Sequence, residues 1–482
     1  MTYKKIAALF VLSGLAAPAF ATNGMDMEGY GPVATGMGGA SFAYDNGTAG
    51  LINNPATLAL LQPGTARLDI AIGGLHPDVT TKMNGLPDAH SGGDAYYMPA
   101  IGYVRKTGMV SYGVGVMAQG GMGTEYGTGT FLSGNPGIPT MMGSMAGPTG
   151  EANRSELGIG RVMFPLTYDV SDNFRIGGTL DYLWGGLDIQ MVMSGQMFSQ
   201  FATPGGSPLG SASGPMVTNL PAIMGAFGIS DVNWAQFDFS EGKNGMKQRL
   251  TTTGWAGNIG FVWKVSPTLS IGGVYHGKTN LSDMEGNGTL KMNASVGGTP
   301  TTVPITGKLK VVDFQWPETY GIGLAYQVND SVMVAADYKR IGWSKVMKNF
   351  RMSFTADSVQ ANPAAQGMVG MGATAMDATL VQDWKDQDVV MIGGSYRYSD
   401  ALTLRAGVNL ADNPIPNQYM NPLFPAIVKN HYTAGFGYAF DKISSVDFSF
   451  AYAPEVSATN SNLGVTTTHS QTNWQLMYSH RF

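Results

Sequence analysis

The feature that most restricts this chain is the rhythm of its connections. Segments that alternate apolar and polar residues recur from residue 65 to residue 482, with the period of a half-buried strand. From the second segment onward, short and long links alternate. The short ones, at 106–108, 171–172, 266–267, 329–331, 399–400 and 441–444, are made of turn residues such as Asn, Asp, Ser, Gly and Pro. The long ones cover 120–155, 189–248, a link ending near Gly307, 355–387, 412–430 and 454–470. Tight turns at one rim and extended loops at the other mark an outer-membrane barrel. A propeller would instead repeat one loop pattern at roughly 40–50 residues, and the chain has no such repeat.

Counting segments gives fourteen, and single-chain bacterial barrels have even numbers of strands. The expected fold class is therefore all-β, a 14-stranded antiparallel transmembrane β-barrel. Composition agrees: charged residues are only 13% and aromatics 10%, with 67 glycines, against about 25% charged in ordinary globular domains. Beyond residue 21 every apolar run stops short of the ~18 residues a membrane helix requires. The last strand shows the two faces. Trp474, Leu476, Tyr478, His480 and Phe482 alternate with Asn473, Gln475, Ser479 and Arg481, so Arg481 is expected to point inward or sit at the rim, since a lipid-facing charge is costly. A terminal aromatic such as Phe482 resembles the signal that barrel-assembly machinery reads, which makes that machinery an expected partner besides the lipid bilayer.

Residues 1–21 read as a secretory signal peptide: Lys4-Lys5, an apolar core, and Ala19-Phe20-Ala21 as the cleavage site. Removing Lys4 and Lys5 takes the formal charge from −5 to −7, which offers no basic surface to nucleic acid. The chain has no cysteine, so disulfides and thiolate metal sites are excluded. Residues 22–63 contain Gly31-Pro32-Val33-Ala34-Thr35-Gly36-Met37-Gly38-Gly39-Ala40-Ser41 and then Asn53-Asn54-Pro55-Ala56. That stretch is too glycine-rich for a helix interior, too poor in β-branched residues for a strand, and too uncharged for a surface loop. The expected organisation is a signal peptide (1–21), an N-terminal hatch or plug in the lumen (22–63), and the barrel with its long extracellular loops (64–482).

Several motifs are collinear with one family. Gly36-Met37-Gly38-Gly39-Ala40 and Asn54-Pro55-Ala56 are followed by Gly121-Met122-Gly123-Thr124-Glu125-Tyr126, Pro317-Glu318, Gly342-Trp343-Ser344, Asp412-Asn413-Pro414-Ile415-Pro416 and the terminal Phe482. In these the chain resembles the FadL/TodX-type outer-membrane transporters of long-chain fatty acids and other hydrophobic compounds. The resemblance implies a barrel with an N-terminal hatch, no bound cofactor, and uptake driven by the gradient of the cargo itself. It implies an apolar landing patch on the outer loops, a buried site near the mature N-terminus, and lateral exit through the wall. It also implies a monomer.

Mapped onto this sequence, the hatch motif is Gly36, Gly38, Gly39, Asn54, Pro55 and Ala56, and the ligand path runs by Thr22, Asn23, Gly24 and Met25. The strand-3 kink falls on Gly120, Gly121 and Gly123, where closely spaced glycines weaken strand pairing. The outer-loop patch is assigned to Met141, Met142, Met145, Met193, Met197, Phe198 and Phe201; methionine suits an adaptable apolar surface. No Lys or Arg occurs between Arg175 and Lys243, and 187–191 offers Asp188 but no cation. Lys345, Lys348 and Arg351 are the candidates for a head-group cation. A carboxylate without one is costly in an apolar pocket, so a neutral aromatic or alkane-like cargo is expected alongside fatty acid.

Catalytic and metal motifs are missing: the six histidines are scattered, with no His-Glu-x-x-His and no Gly-x-Ser-x-Gly. No enzyme, cofactor or metal site is expected. The alternatives are a general porin, a structural or adhesive barrel, and, further off, an outer-membrane lipase using His276, His431 or His480.

Overall fold

The computed structural model describes residues 23–133, 149–203, 205–239 and 250–482, with the backbone of 139–140 and 143–144 between them. The expected signal peptide, Thr22, and the side chains of Met141, Met142 and Met145 lie outside the described residues.

The wall opens with β1 (Ala66–Met83), β2 (Tyr96–Thr107), β3 (Val110–Glu125), β4 (Arg154–Asp169) and β5 (Phe174–Ser194). Next come β6 (Ile229–Asp238), β7 (Leu250–Lys264), β8 (Leu269–His276), β9 (Met284–Val296), β10 (Thr299–Val312) and β11 (Thr319–Gln327). They are followed by β12 (Val332–Ile341), β13 (Asn349–Ala356), β14 (Ala375–Val381), β15 (Gln387–Arg397) and β16 (Leu402–Ala411). β17 (His431–Ala439), β18 (Ser444–Asn460) and β19 (Val465–Arg481) complete the wall. β19 pairs antiparallel with β1 from Arg67↔Arg481 to Met83↔Val465, which closes the sheet on itself. Closure satisfies the backbone groups without water, the condition for crossing hydrocarbon.

The expected count of fourteen describes the closed ring but not the whole sheet, which is larger. The main sheet holds 22 strands, and sixteen of them are nine residues or longer, the length that crosses a bilayer. The ladders that return to β1 run through β2, β3, β4, β5, β7, β8, β11, β12, β15, β16, β17, β18 and β19, a closed antiparallel ring of fourteen, and the other strands branch from it. Alternation overlooks breaks that keep the inward–outward pattern. The stretch 308–328 divides into β10 and β11 around Pro317, and 332–354 divides into β12 and β13 around a 3-10 turn at Trp343–Lys345. Proline lacks the amide a ladder needs, and Asp313 in the first break has a φ of 56°. Three further strands, β6, β9 and β14, lie in links read as loops.

Alternation does hold for the two faces. On β4, Phe164, Leu166 and Tyr168 are exposed on the outer face while Met163 and Thr167 are buried. On β19, Leu476 and Tyr478 face out and Asn473, Gln475 and Ser479 face in. Arg481 is exposed at the rim, and the Phe482 amide donates to Ala66 O at 2.8 Å.

Residues 23–60 are buried except for Tyr30, Gly31 and Leu60, which are half-buried, and Asp45, which is exposed. The short helix Pro32–Gly36 packs on β16, β17, β18 and β19, and the 3-10 turn Pro55–Leu60 packs on β3, β4, β5 and β7. Gly38 shows why this segment is glycine-rich. Its φ is +71°, and a Cβ there would lie 2.4 Å from the Val408 carbonyl oxygen, so only glycine fits both the conformation and the space.

Candidate functional site

Two carboxylates and two amides hold the N-terminal segment to the wall. Asp337 on β12 accepts from the amides of Ser41 and Phe42 at 2.6 and 2.9 Å. Asp69 on β1 accepts from Thr48 N at 2.7 Å and from Arg67 Nε at 2.8 Å. Asn54 Nδ2 donates to Phe42 O at 2.7 Å and to Phe261 O of β7 at 3.1 Å, while its Oδ1 accepts from Ala56 N at 3.1 Å. Pro55 begins the 3-10 turn, where its missing amide costs nothing. Asn409 Nδ2 reaches Glu28 O and Gly38 O, and the Gly38 amide donates to Thr433 Oγ1 at 3.0 Å. The motif glycines and Asn54-Pro55-Ala56 are thus brought together against the inner wall.

The wall is interrupted beside this segment. β2 and β3 pair only from Thr107↔Val110 up to Ile101↔Val116, although β3 continues to Glu125. Its ladder with β4 slips between Ala118 and Gly120, while Gly121 and Gly123 remain in register opposite Gly158 and Glu156. A Cβ at Gly120 would sit 2.1 Å from Met25 O, so the glycine is required by a close approach rather than by the bulge alone. An apolar cavity occupies the interruption, lined by Ile72, Met98, Pro99, Ile101 and Met117 on the wall and by Met27 and Tyr30 of the N-terminal segment. Tyr30 OH donates to Gln119 O at 2.5 Å; burial, with Asp26 nearby, pushes its pKa well above the ordinary range, so it remains a neutral donor.

On the far side of Met27 and Tyr30 lies a polar pocket lined by Asp26, Glu28, Arg161, His276, Trp316 and Lys339. Arg161 is paired with Asp181 at 2.7 Å. Asp26 Oδ1 accepts from Trp316 Nε1 at 2.7 Å and from Gln119 Nε2 at 3.0 Å. Trp316, Trp343 and Trp384 are fully buried and meet edge to face, with ring centroids 5.9 and 5.3 Å apart. Each stands in a break between wall strands, at 313–318, 342–348 and 382–386. Gly24 lies directly under Trp343, since a Cβ on it would come within 2.7 Å of the indole nitrogen. Asn23 and Met25 are completely buried.

The head-group expectation fares differently. Lys345, Lys348 and Arg351 are all exposed; Lys345 pairs with Glu318, and Arg351 with Asp313 at 3.2 Å. None of the three lines the pockets described here. The cation that 187–191 lacks is supplied from β4: Arg154 lies 3.2 Å from Asp188 and also binds Glu125 and Glu156, at 3.1 and 2.7 Å. Arg154, Arg161 and Lys339 were missed because they come from strands adjacent in space but distant in sequence. The position of Arg154 two residues before Glu156 on a strand was the available signal.

In the outer loops, Met193, Met197 and Phe201 line an apolar pocket with Met191, Leu209, Leu380, Met420 and Leu463. Phe198 is buried beside them but does not line it. Ser194 caps the helix Gly195–Ala202 that carries them, accepting from Met197 N at 3.2 Å.

A closed barrel that is apolar outside, filled from one end and interrupted at one seam over an apolar cavity defines a membrane transport channel. The chain belongs to the outer membrane protein transport family (OMPP1/FadL/TodX), whose model matches residues 8–479. It is similar to the Pseudomonas putida toluene transporter TodX, at 28% identity and a TM-score of 0.78, covering 95% of this chain and 99% of that one. It is 26% identical over 200 residues to outer membrane protein P1 of Haemophilus influenzae, covering 41% of this chain and 37% of P1. A long-chain fatty acid transport protein of Shigella flexneri is 21% identical over 348 residues, covering 71% and 66%. The chain spans under two fifths of the length of the first curated relatives it matches, 39% and 37%. That family is one of outer-membrane transport proteins.

Proposed function

We propose that this protein is a channel for passive, diffusion-driven uptake of hydrophobic compounds, with 22–63 as the hatch and lateral exit beside β3. One observation carries the reading: the apolar cavity lined by Met27 and Tyr30 within and by the lipid-facing Ile72, beside the point where the β2–β3 ladder stops. Cargo lands on the Met193–Met197–Phe201 pocket, descends past Asn23, Gly24 and Met25, and leaves between β2 and β3 into the bilayer. Neither cofactor nor metal takes part, the channel is a monomer, and Phe482 serves the assembly machinery.

For the cargo, a small neutral aromatic compound fits best. Trp316, the member of the tryptophan cluster that lines the polar pocket, offers its ring to an aromatic guest. Around it Asp26, Glu28, Asp181 and Asp337 outnumber Arg161 and Lys339, so an added carboxylate meets net repulsion. The similarity to a toluene transporter over nearly the whole chain supports the same class. A second reading, long-chain fatty acid, draws on Lys339: it is buried, lines the polar pocket, and has no carboxylate within ion-pair distance among the described residues. Reconstituted liposomes separate these readings. Toluene flux without glucose flux is expected; free glucose entry would indicate an open porin, and oleate outcompeting toluene would favour the second reading.

A further inference from the structure

Asp26 belongs to two parts of the route at once. The same Oδ1 accepts from Trp316, in the tryptophan cluster, and from Gln119, in the β3 slip. Asp26 also forms a backbone bridge with Gly120, and Tyr30, whose hydroxyl lies 3.4 Å from that Oδ1, donates to the Gln119 carbonyl. Asp26 is 6% exposed. A carboxylate this buried cannot exchange a lost donor for water, so movement at one donor is felt at the other. The β3 bulge, held on its other side by β4, is thus linked through Asp26 to the Trp316 indole.

We propose that Asp26 is a positioning residue that couples occupancy of the tryptophan cluster to the width of the β2–β3 gap. The coupling rests on the route proposed above. An aromatic guest beside Trp316 displaces the indole N–H from Asp26, the strap 23–30 shifts from the bulge, and Gln119 and Gly120 swing away from β2. The guest stabilises the open gap because it binds that arrangement better, which is the only way a ligand can shift such an equilibrium. An empty cluster keeps the seam narrow, so the membrane does not leak while no cargo is present.

The absence of cysteine allows a direct test. Cysteines placed as Tyr97→Cys on β2 and Ala118→Cys on β3 are spin-labelled in the full-length protein, and their separation is measured with and without toluene. Toluene binding is followed calorimetrically. The expected result is a longer distance with toluene in the parent. That shift is lost in Trp316→Phe, which keeps a ring but not the donor, and in Asp26→Ala, while Asp26→Asn, which keeps Oδ1, restores it. Binding persists in all three. An undiminished shift in Trp316→Phe, with toluene bound, overturns the coupling alone. Absence of toluene binding in the parent overturns the route as well.

Discussion

The Asp337 carboxylate on β12 accepts the amide hydrogen of Ser41 at 2.6 Å, and Phe42 adds a second bond at 2.9 Å. Charged acceptors of this kind contribute about 1.5–3 kcal/mol each when buried. Asp337→Ala should therefore loosen the N-terminal segment without unpicking the barrel. Single-channel conductance in planar bilayers should rise from near zero to measurable openings. Unchanged conductance with a folded barrel would mean that other contacts hold the segment.

Asn54 ties three backbone strands of the segment and the wall together through one side chain. Asn54→Ala leaves the Phe42 carbonyl short of a donor, a loss of roughly 1–3 kcal/mol. Barrel assembly, read from the heat-modifiable shift on gels, should be unaffected, while toluene uptake falls several-fold. Full uptake would reduce the Asn-Pro-Ala motif to an ordinary turn.

Gly120 admits no Cβ, because Met25 O occupies that space at 2.1 Å. Gly120→Val should force the strap 23–26 away from β3 and change uptake by about tenfold, the equivalent of 1.4 kcal/mol on the barrier. Substitution at Gly123, which lies in register opposite Glu156, should have a smaller effect. Equal effects at both positions would count against a special role for the slip.

Arg154 is the cation facing three carboxylates, and Asp188 among them is completely buried. Arg154→Met removes that charge and should destabilise the upper wall by roughly 3 kcal/mol, as broken buried pairs do. The midpoint of urea unfolding in detergent reports it. A midpoint that does not move would show that water already screens the cluster.

Much of this architecture was legible in the alternation of residues such as Phe164, Leu166 and Tyr168, because a strand between lipid and lumen must sort its side chains by parity. The rim asymmetry followed from the turn residues at 171–172 and 399–400. Parity was silent about strand breaks, since a short irregular passage such as 313–318 can return the chain in phase. That is why β10 and β11 read as one strand, and the strands that branch from the ring went uncounted. The tryptophan cluster was hidden for the same reason. Trp316, Trp343 and Trp384 each sit in such a break, and nothing in their separate surroundings announces that they touch. Lysines and arginines posed the opposite difficulty: Lys345 and Arg351 were conspicuous in sequence but sit outside with Glu318 and Asp313, while Arg154 and Arg161 were overlooked and lie within.

The height of the seam in β2–β3 decides what kind of device this is. Below Ile101↔Val116 the ladder is intact down to Thr107↔Val110, a run of about 20 Å along the strand at ~3.3 Å per residue. With strands tilted by roughly 40°, the sill stands about 15 Å above the inner turns, in the outer half of a band about 25 Å tall. On the proposed route, cargo is thus delivered into the bilayer rather than to the aqueous compartment beyond. The bilayer becomes the receiving vessel, and its capacity to dissolve the compound sets how far uptake can run. On that route no pump is required, and the traffic stops of its own accord once the membrane is as loaded as the water outside.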